Sequence, residues 1–105
     1  MQRIKFMLEY HCIPIWLYDS NDNLIGPEIP KKLSNDHKFI ELINEITKEF
    51  DELYENNKIN FEYKGFASEA EKKMFFTKVS KAIKMLRNRL DDNYIIQVDV
   101  NDENY

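Results

Sequence analysis

Residues 3–10, Arg3-Ile4-Lys5-Phe6-Met7-Leu8-Glu9-Tyr10, place Ile4, Phe6, Leu8 and Tyr10 on one side and Arg3, Lys5, Met7 and Glu9 on the other. Successive side chains of a strand point to opposite faces, so this period of two predicts a half-buried β-strand. Residues 12–18 repeat the pattern, with Ile13, Ile15 and Leu17 alternating with Pro14, Trp16 and Tyr18. Pro14 cannot donate to a central ladder, so the second strand should lie at an edge or begin late. The pair predicts a hairpin turning around His11 and Cys12. Asp19-Ser20-Asn21-Asp22-Asn23 is a turn cluster, and Gly26-Pro27 with Pro30 should keep the chain irregular until about Leu33.

Outward from this hairpin, the periodicity changes. From Ser34 or Asp36, both good N-caps, the spacing of Phe39, Ile43, Ile46, Phe50 and Leu53 predicts a helix running to about Asn57, its stripe widened by Ile40, Leu42 and Tyr54. Ile59, Phe61 and Tyr63 alternate with Asn60, Glu62 and Lys64, a third short strand ending at Gly65. Ser68-Glu69-Ala70-Glu71 has the form of a capping box and opens a second helix with Phe75, Val79, Ala82, Leu86 and Leu90 on one face. Asp91-Asp92-Asn93 ends it. Residues 94–100 then predict a last strand with Ile96, Val98 and Val100 inward, before a polar tail at 101–105.

The fold expected is α+β, of order ββαβαβ, with a four-stranded mixed sheet and two long helices on one face, a single domain over residues 1–105. Short links make each helix reverse on the strand beside it, so the helices should run roughly parallel. The third strand, second helix and last strand would form a right-handed crossover. No third helix is available for the opposite face. Met7, Trp16, Tyr18, Ile95 and Gln97 should lie there among Lys5, Glu62 and Asp99, a candidate interface.

Seven Phe, six Tyr and Trp16 supply ample core material, and 43% of the chain is hydrophobic. The net charge of −4 disfavours nucleic acid and anionic membranes as partners, since both reward a basic surface. The apolar N-terminal stretch is interrupted by Glu9, His11 and Pro14, and so reads neither as a signal peptide nor as a membrane span. With Cys12 as the only cysteine, a reducing, cytoplasmic setting is expected.

Catalytic patterns fail one by one. Gly26 and Gly65 are the only glycines, too few for either phosphate-binding fingerprint, and neither Gly-x-Ser-x-Gly nor His-Glu-x-x-His occurs. Asp19-x-Asn21-x-Asn23 begins like a calcium loop, but its sixth position is Leu24 and its twelfth Pro30. His11 beside Cys12 suggests thiol chemistry, yet adjacent strand residues face opposite ways and no family signature surrounds them. Cys12 reads as a packed or exposed thiol and His37 as a surface residue. No cofactor, metal or catalytic residue is expected.

Charge is the most informative pattern. Residues 36–55 carry seven acids against Lys38 and Lys48, and residues 69–92 carry seven bases against four acids. Glu41, Glu45 and Glu49 follow one another at four-residue steps, stacking like charges at a cost of about a few tenths of a kcal/mol per pair. Either the two charged faces are solvated or screen each other, or the acidic one, Glu41, Glu45, Glu49 and Glu52, meets a basic partner. The basic row of the second helix lacks the arginine forks and interleaved aromatics of a nucleic-acid surface.

Lys5-Phe6-Met7-x-x-Tyr10-x-x-x-Pro14-Ile15-Trp16-x-Tyr18-Asp19, with Phe61-x-Tyr63-x-Gly65-Phe66 further on, resembles a group of small proteins from low-GC Gram-positive bacteria. Some of these are similar to immunity partners of polymorphic toxins. The resemblance implies an immunity partner of a toxin. Taken with the charge pattern and the open sheet face, the leading expectation is a non-catalytic module that binds a protein, such as a basic toxin domain, and neutralises it by occlusion through the acidic helix face or through Met7, Trp16, Tyr18 and Ile95. Two other readings stand beside it: a homodimer packed through the open sheet face, and a small enzyme with an unrecognised site.

Overall fold

The structure, a computed structural model, describes residues 2–56, 61–101, 103 and 105. The elements are β1 (Gln2–Phe6), β2 (Ile15–Tyr18), β3 (Leu24–Pro27), a short 3-10 turn at Lys31–Leu33, α1 (His37–Asp51), β4 (Tyr54–Asn56), β5 (Phe61–Tyr63), α2 (Glu69–Arg89) and β6 (Tyr94–Val98). The expected α+β class and ββαβαβ order are observed, with two short strands, β3 and β4, inserted in the series.

The four-stranded mixed sheet has the order β3-β2-β1-β6. β1 pairs antiparallel with β2, setting Ile4 against Leu17 and Phe6 against Ile15. On its other side β1 runs parallel to β6, with Ile4 beside Ile96. Ile4, Phe6 and Ile15 are therefore on one face, where they are fully buried with Phe39, Ile43 and Ile46 of α1 and Ala82 and Leu86 of α2. Both helices cover this face. Tertiary packing selects the alternation read from the sequence, because a one-residue slip would drive Arg3 and Lys5 into that core.

The hairpin reverses where the sequence suggested. Cys12 N–H donates to Glu9 C=O at 3.2 Å, and His11 adopts a left-handed φ of 62° between them. Pro14 lies before β2, which begins at Ile15. Asp19 Oδ1 accepts the N–H groups of both Asn21 and Asn23 at 2.9 Å, so the turn cluster is a self-satisfied Asx turn. The chain then forms β3, where an irregular stretch was expected. An edge strand needs only one ladder, so Pro27, facing Trp16, is tolerated there.

Helix caps match their sequence signals. Asp36 accepts from Phe39 N–H at 3.1 Å, and Ser68 accepts from Glu71 N–H at 3.2 Å while Glu71 reaches back to Ala67 N–H. Phe39, Ile43, Ile46, Phe50 and Leu53 of the first stripe and Phe75, Val79, Ala82, Leu86 and Leu90 of the second are buried, whereas Ile40 and Tyr54, which widen the first, are half-buried.

Three expectations are corrected between the helices. α1 ends at Asp51 rather than continuing toward Asn57, which is outside the described residues, as are Ile59 and Asn60. Tyr54 belongs to β4, which pairs with β5 in a separate two-stranded hairpin. β5 consequently takes no part in the main sheet or in a crossover with β6, and Glu62 is not on the open sheet face. Finally, the helices are antiparallel: Asp36 at the start of α1 meets Arg89 at the end of α2, and Phe50 near the end of α1 packs on Phe75 in the second turn of α2. One strand between the helices gives two reversals and parallel helices; two strands give three reversals and antiparallel ones. Lys64 and Gly65 N–H both donate to Leu53 C=O, and Gly65 takes the left-handed φ of 76° that glycine tolerates best.

Candidate functional site

α1 shows how far the acidic row is free. Lys78 of α2 meets Glu49 at 2.5 Å and Glu45 at 3.7 Å, and this pairing, chiefly the hydrogen bond to Glu49, raises the Lys78 pKa. Arg89 engages Asp36. Part of the opposite charge of the helices is thus answered across their seam, as the screening reading anticipates. Glu41 and Glu52 are exposed and have no ion-pair partner among the described residues, and Glu45 is exposed beyond its longer contact with Lys78.

A groove of about 1050 Å3 opens where the C-terminal half of α1, the β4–β5 hairpin and the first turns of α2 converge. Glu49, Asp51, Glu52 and Glu71 line it against Lys48 and Lys64, so its charge is acidic. Met74 at its margin is 65% exposed, an apolar contact beside the carboxylates. Along α1 a shallower depression includes Glu41 and Glu45 and shares Asn44 and Lys48 with the groove. The four acids singled out from the sequence therefore occupy one continuous surface.

Of the second surface read from the sequence, strand pairing brings Trp16, Tyr18 and Ile95 together, while Met7 follows the end of β1. Lys5 pairs with Trp16 across β1 and β2, and Arg3 with Ile95 across β1 and β6, so Trp16, Tyr18 and Ile95 share the face opposite the helices. The Arg3 guanidinium lies 3.7 Å from the Tyr18 ring centroid and bonds to Asp22 and Gln97. Lys5 contacts Asp99 at 3.3 Å. Trp16 Nε1 donates to Met7 C=O at 3.1 Å, half-buried. Ile95 is 50% exposed and Leu24 of β3 adds a further exposed apolar group. The two bases of this face are each answered by an acid, and the face is laced by internal contacts.

Cys12 is half-buried, and His11 beside it turns to Asp51. The His11 backbone N–H donates to Asp51 Oδ1 at 2.9 Å, its ring lies 3.9 Å from that of Tyr10, and Nδ1 is 3.6 Å from Asp51 Oδ2. These contacts tie the β1–β2 loop to the end of α1.

One feature escaped the sequence reading. Tyr10, Tyr54 and Phe61 form a triangle of rings, with Tyr54 and Phe61 stacked at 5.4 Å and 4°, and Tyr63 meets Tyr54 and Tyr105 edge-on. The sequence signal is the mirrored pair Tyr54-Glu55-Asn56 and Phe61-Glu62-Tyr63, each alternating aromatic or polar with Glu about a polar link. Burial pushes the Tyr54, Tyr63 and Tyr105 phenols above the ordinary value of 10.0, with Glu9 adding to the shift at Tyr54. A group whose pKa is raised by folding stabilises the fold fully below its unfolded pKa and loses that contribution as pH rises through the folded value. Unfolding titrations should therefore show a urea midpoint that falls as pH rises past about 10, with tyrosinate absorbance appearing later in the folded protein than in urea.

Residues 2–100 match the family described as Serratia CdiI immunity protein-like. The chain belongs to this family. The match spans the residues of the main sheet, both helices and the β4–β5 hairpin. No curated protein matches the chain. Among the described residues no helix is long and apolar enough to cross a membrane.

Proposed function

We propose that this immunity-family protein neutralises a toxin by occlusion, covering a basic surface of the toxin domain with the acidic face of α1 and the groove at its C-terminal end. Family membership supports a toxin as partner. The observation that carries the choice of surface is the continuity of Glu41, Glu45 and Glu52 with the groove, three exposed acids of which only Glu45 has an ion-pair partner among the described residues. Like charges kept in a row at a cost to helix stability are expected where a partner of opposite charge compensates them. The open sheet face suits a basic partner less well, because its carboxylates Asp22 and Asp99 are already engaged by Arg3 and Lys5. Binding requires no cofactor and no catalysis by this chain, and it would take place in the cytoplasm, where a toxin has to be intercepted.

The test is a binding measurement against the cognate toxin domain, expected to be encoded immediately upstream of this chain's gene, using Glu41→Lys/Glu45→Lys/Glu52→Lys. Glu49 stays in place so that the Lys78 seam is kept. Three reversals on a complementary surface should weaken binding by about 100-fold or more at low salt and abolish protection of cells expressing the toxin. Unchanged affinity in a folded triple variant would overturn the proposed surface.

A further inference from the structure

We propose that the outer edge of β6 is the contact through which two copies of this chain associate, strand to strand, into a dimer with one continuous sheet. The surface is separate from the acidic groove and does not depend on what the groove binds.

The two edges of the main sheet are unlike. At the β3 edge, Pro27 and a register shift between Leu17 and Tyr18 interrupt the ladder, the devices by which natural sheets discourage further pairing. At the other edge, Tyr94-Ile95-Ile96-Gln97-Val98 keeps an unbroken register with β1 and contains no charge, proline or glycine. Gln2 N–H donates to Asn93 C=O and Asp99 N–H to Phe6 C=O, both at 2.9 Å. Residues of odd number thus bond toward β1, and Tyr94, Ile96 and Val98 turn their backbone groups outward. Tyr94 N–H is taken up by Asp91 C=O at 3.2 Å, whereas the N–H groups of Ile96 and Val98 have no backbone acceptor among the described residues. The side chains are open as well. Ile95 is 50% exposed, and Val98 is 39% exposed although it shares the helix-covered face with fully buried Phe6. Tyr105 packs on Phe50 and Phe76, which draws the chain end toward the helices.

A second copy fits this edge by parity. Turned antiparallel about a two-fold axis at Ile96, it sets Ile96 opposite itself and Tyr94 opposite Val98, pairs in which both residues direct backbone groups across the gap. With Tyr94 N–H left to Asp91, roughly four intermolecular hydrogen bonds result. Tyr94 against Val98 is an aromatic and β-branched pair, a combination that stabilises neighbouring strands. Charge decides against the basic partner assigned to the groove, because residues 94–98 offer no carboxylate and Asp91 and Asp99 at the two ends are held by Lys32 and Lys5. A neutral strand meets its own copy without desolvating a charge. The groove contains no residue of β6, so the pairing consumes none of it.

Sedimentation velocity of the full chain should show the mass rising from one chain toward two between about 1 and 200 μM, as expected of a small interface. Ile95→Glu isolates the contact. Within its own chain the new carboxylate faces Arg3 across β1 and β6, so the thermal midpoint should hold or rise; in the dimer it lies diagonal to its twin and to Asp99 of the second copy, so association should weaken by about tenfold or more. Leu24→Glu, the same change at the β3 edge, should leave association intact. Amide hydrogen exchange supplies a second readout, since Ile96 and Val98 N–H should exchange more slowly at high protein concentration. A constant one-chain mass, undiminished association of Ile95→Glu, loss of association in Leu24→Glu, or exchange independent of concentration each overturns the proposal. Protection of these two amides by added toxin domain alone assigns the edge to that partner and overturns it as well.

Discussion

Phe6→Ala should lower the stability of the fold by about 3–5 kcal/mol, the usual range for removing a fully buried phenylalanine. Phe6 has no solvent exposure and sits on β1, with β2 on one side and β6 on the other. Its ring fills space between the sheet and both helices, and Ile4 and Ile15 beside it are themselves fixed by strand pairing. The walls can collapse only by moving ladder positions, so most of the cavity should persist. Against a typical net stability of about 5–15 kcal/mol, such a loss leaves a protein near its threshold. A urea titration followed by circular dichroism measures it. A change below about 1 kcal/mol would show that the site is far more compliant than close packing allows.

Phe75→Ala should cost about as much, roughly 3–5 kcal/mol, but with a different functional signature. Phe75 is 1% exposed and joins Phe50 of α1, Phe66 and Phe76, with ring centroids 6.4, 5.4 and 5.1 Å away. Phe66 lines the acidic groove, and Phe50 carries Tyr54 at the base of the hairpin. Removing Phe75 therefore loosens the floor of the proposed binding surface as well as the core. Measured at a temperature where both variants are folded, Phe75→Ala should weaken toxin binding while Phe6→Ala leaves it nearly unchanged. Equal affinities would show that the groove does not depend on this aromatic support.

The two apolar stripes were legible because burial on one side of a helix leaves a 3.6-residue trace that no other element imitates at that length. Phe39 through Phe50 and Phe75 through Leu86 all point inward for that reason. Leu53 and Tyr54 continued the stripe by coincidence: both are buried or half-buried, but from a turn and a strand, and neither Gly nor Pro marks the change. β3 was hidden by Gly26 and Pro27, which ordinarily interrupt strands and here occupy an edge. The antiparallel helices could not be anticipated once a strand was missing from the connection. At the candidate site, the row of glutamates was visible as a spacing. Which of them Lys78 engages is a property of tertiary contact alone. The exposed side of Phe61 and Tyr63 was missed because their alternation was assigned to the covered face of the main sheet.

The pairing of Gln2 with Tyr94 has a kinetic consequence. β1 can find its parallel neighbour only after almost the whole described chain is available, and a contact between such distant positions forms late because loop closure has to precede it. During synthesis, the β1–β2 hairpin and the α1–α2 pair can associate while one edge of β1 is still bare. The acidic groove is built entirely from residues that precede β6. The surface proposed to meet the toxin can thus assemble before the sheet beneath it is complete, and addition of the last strand would then lock a recognition surface already formed.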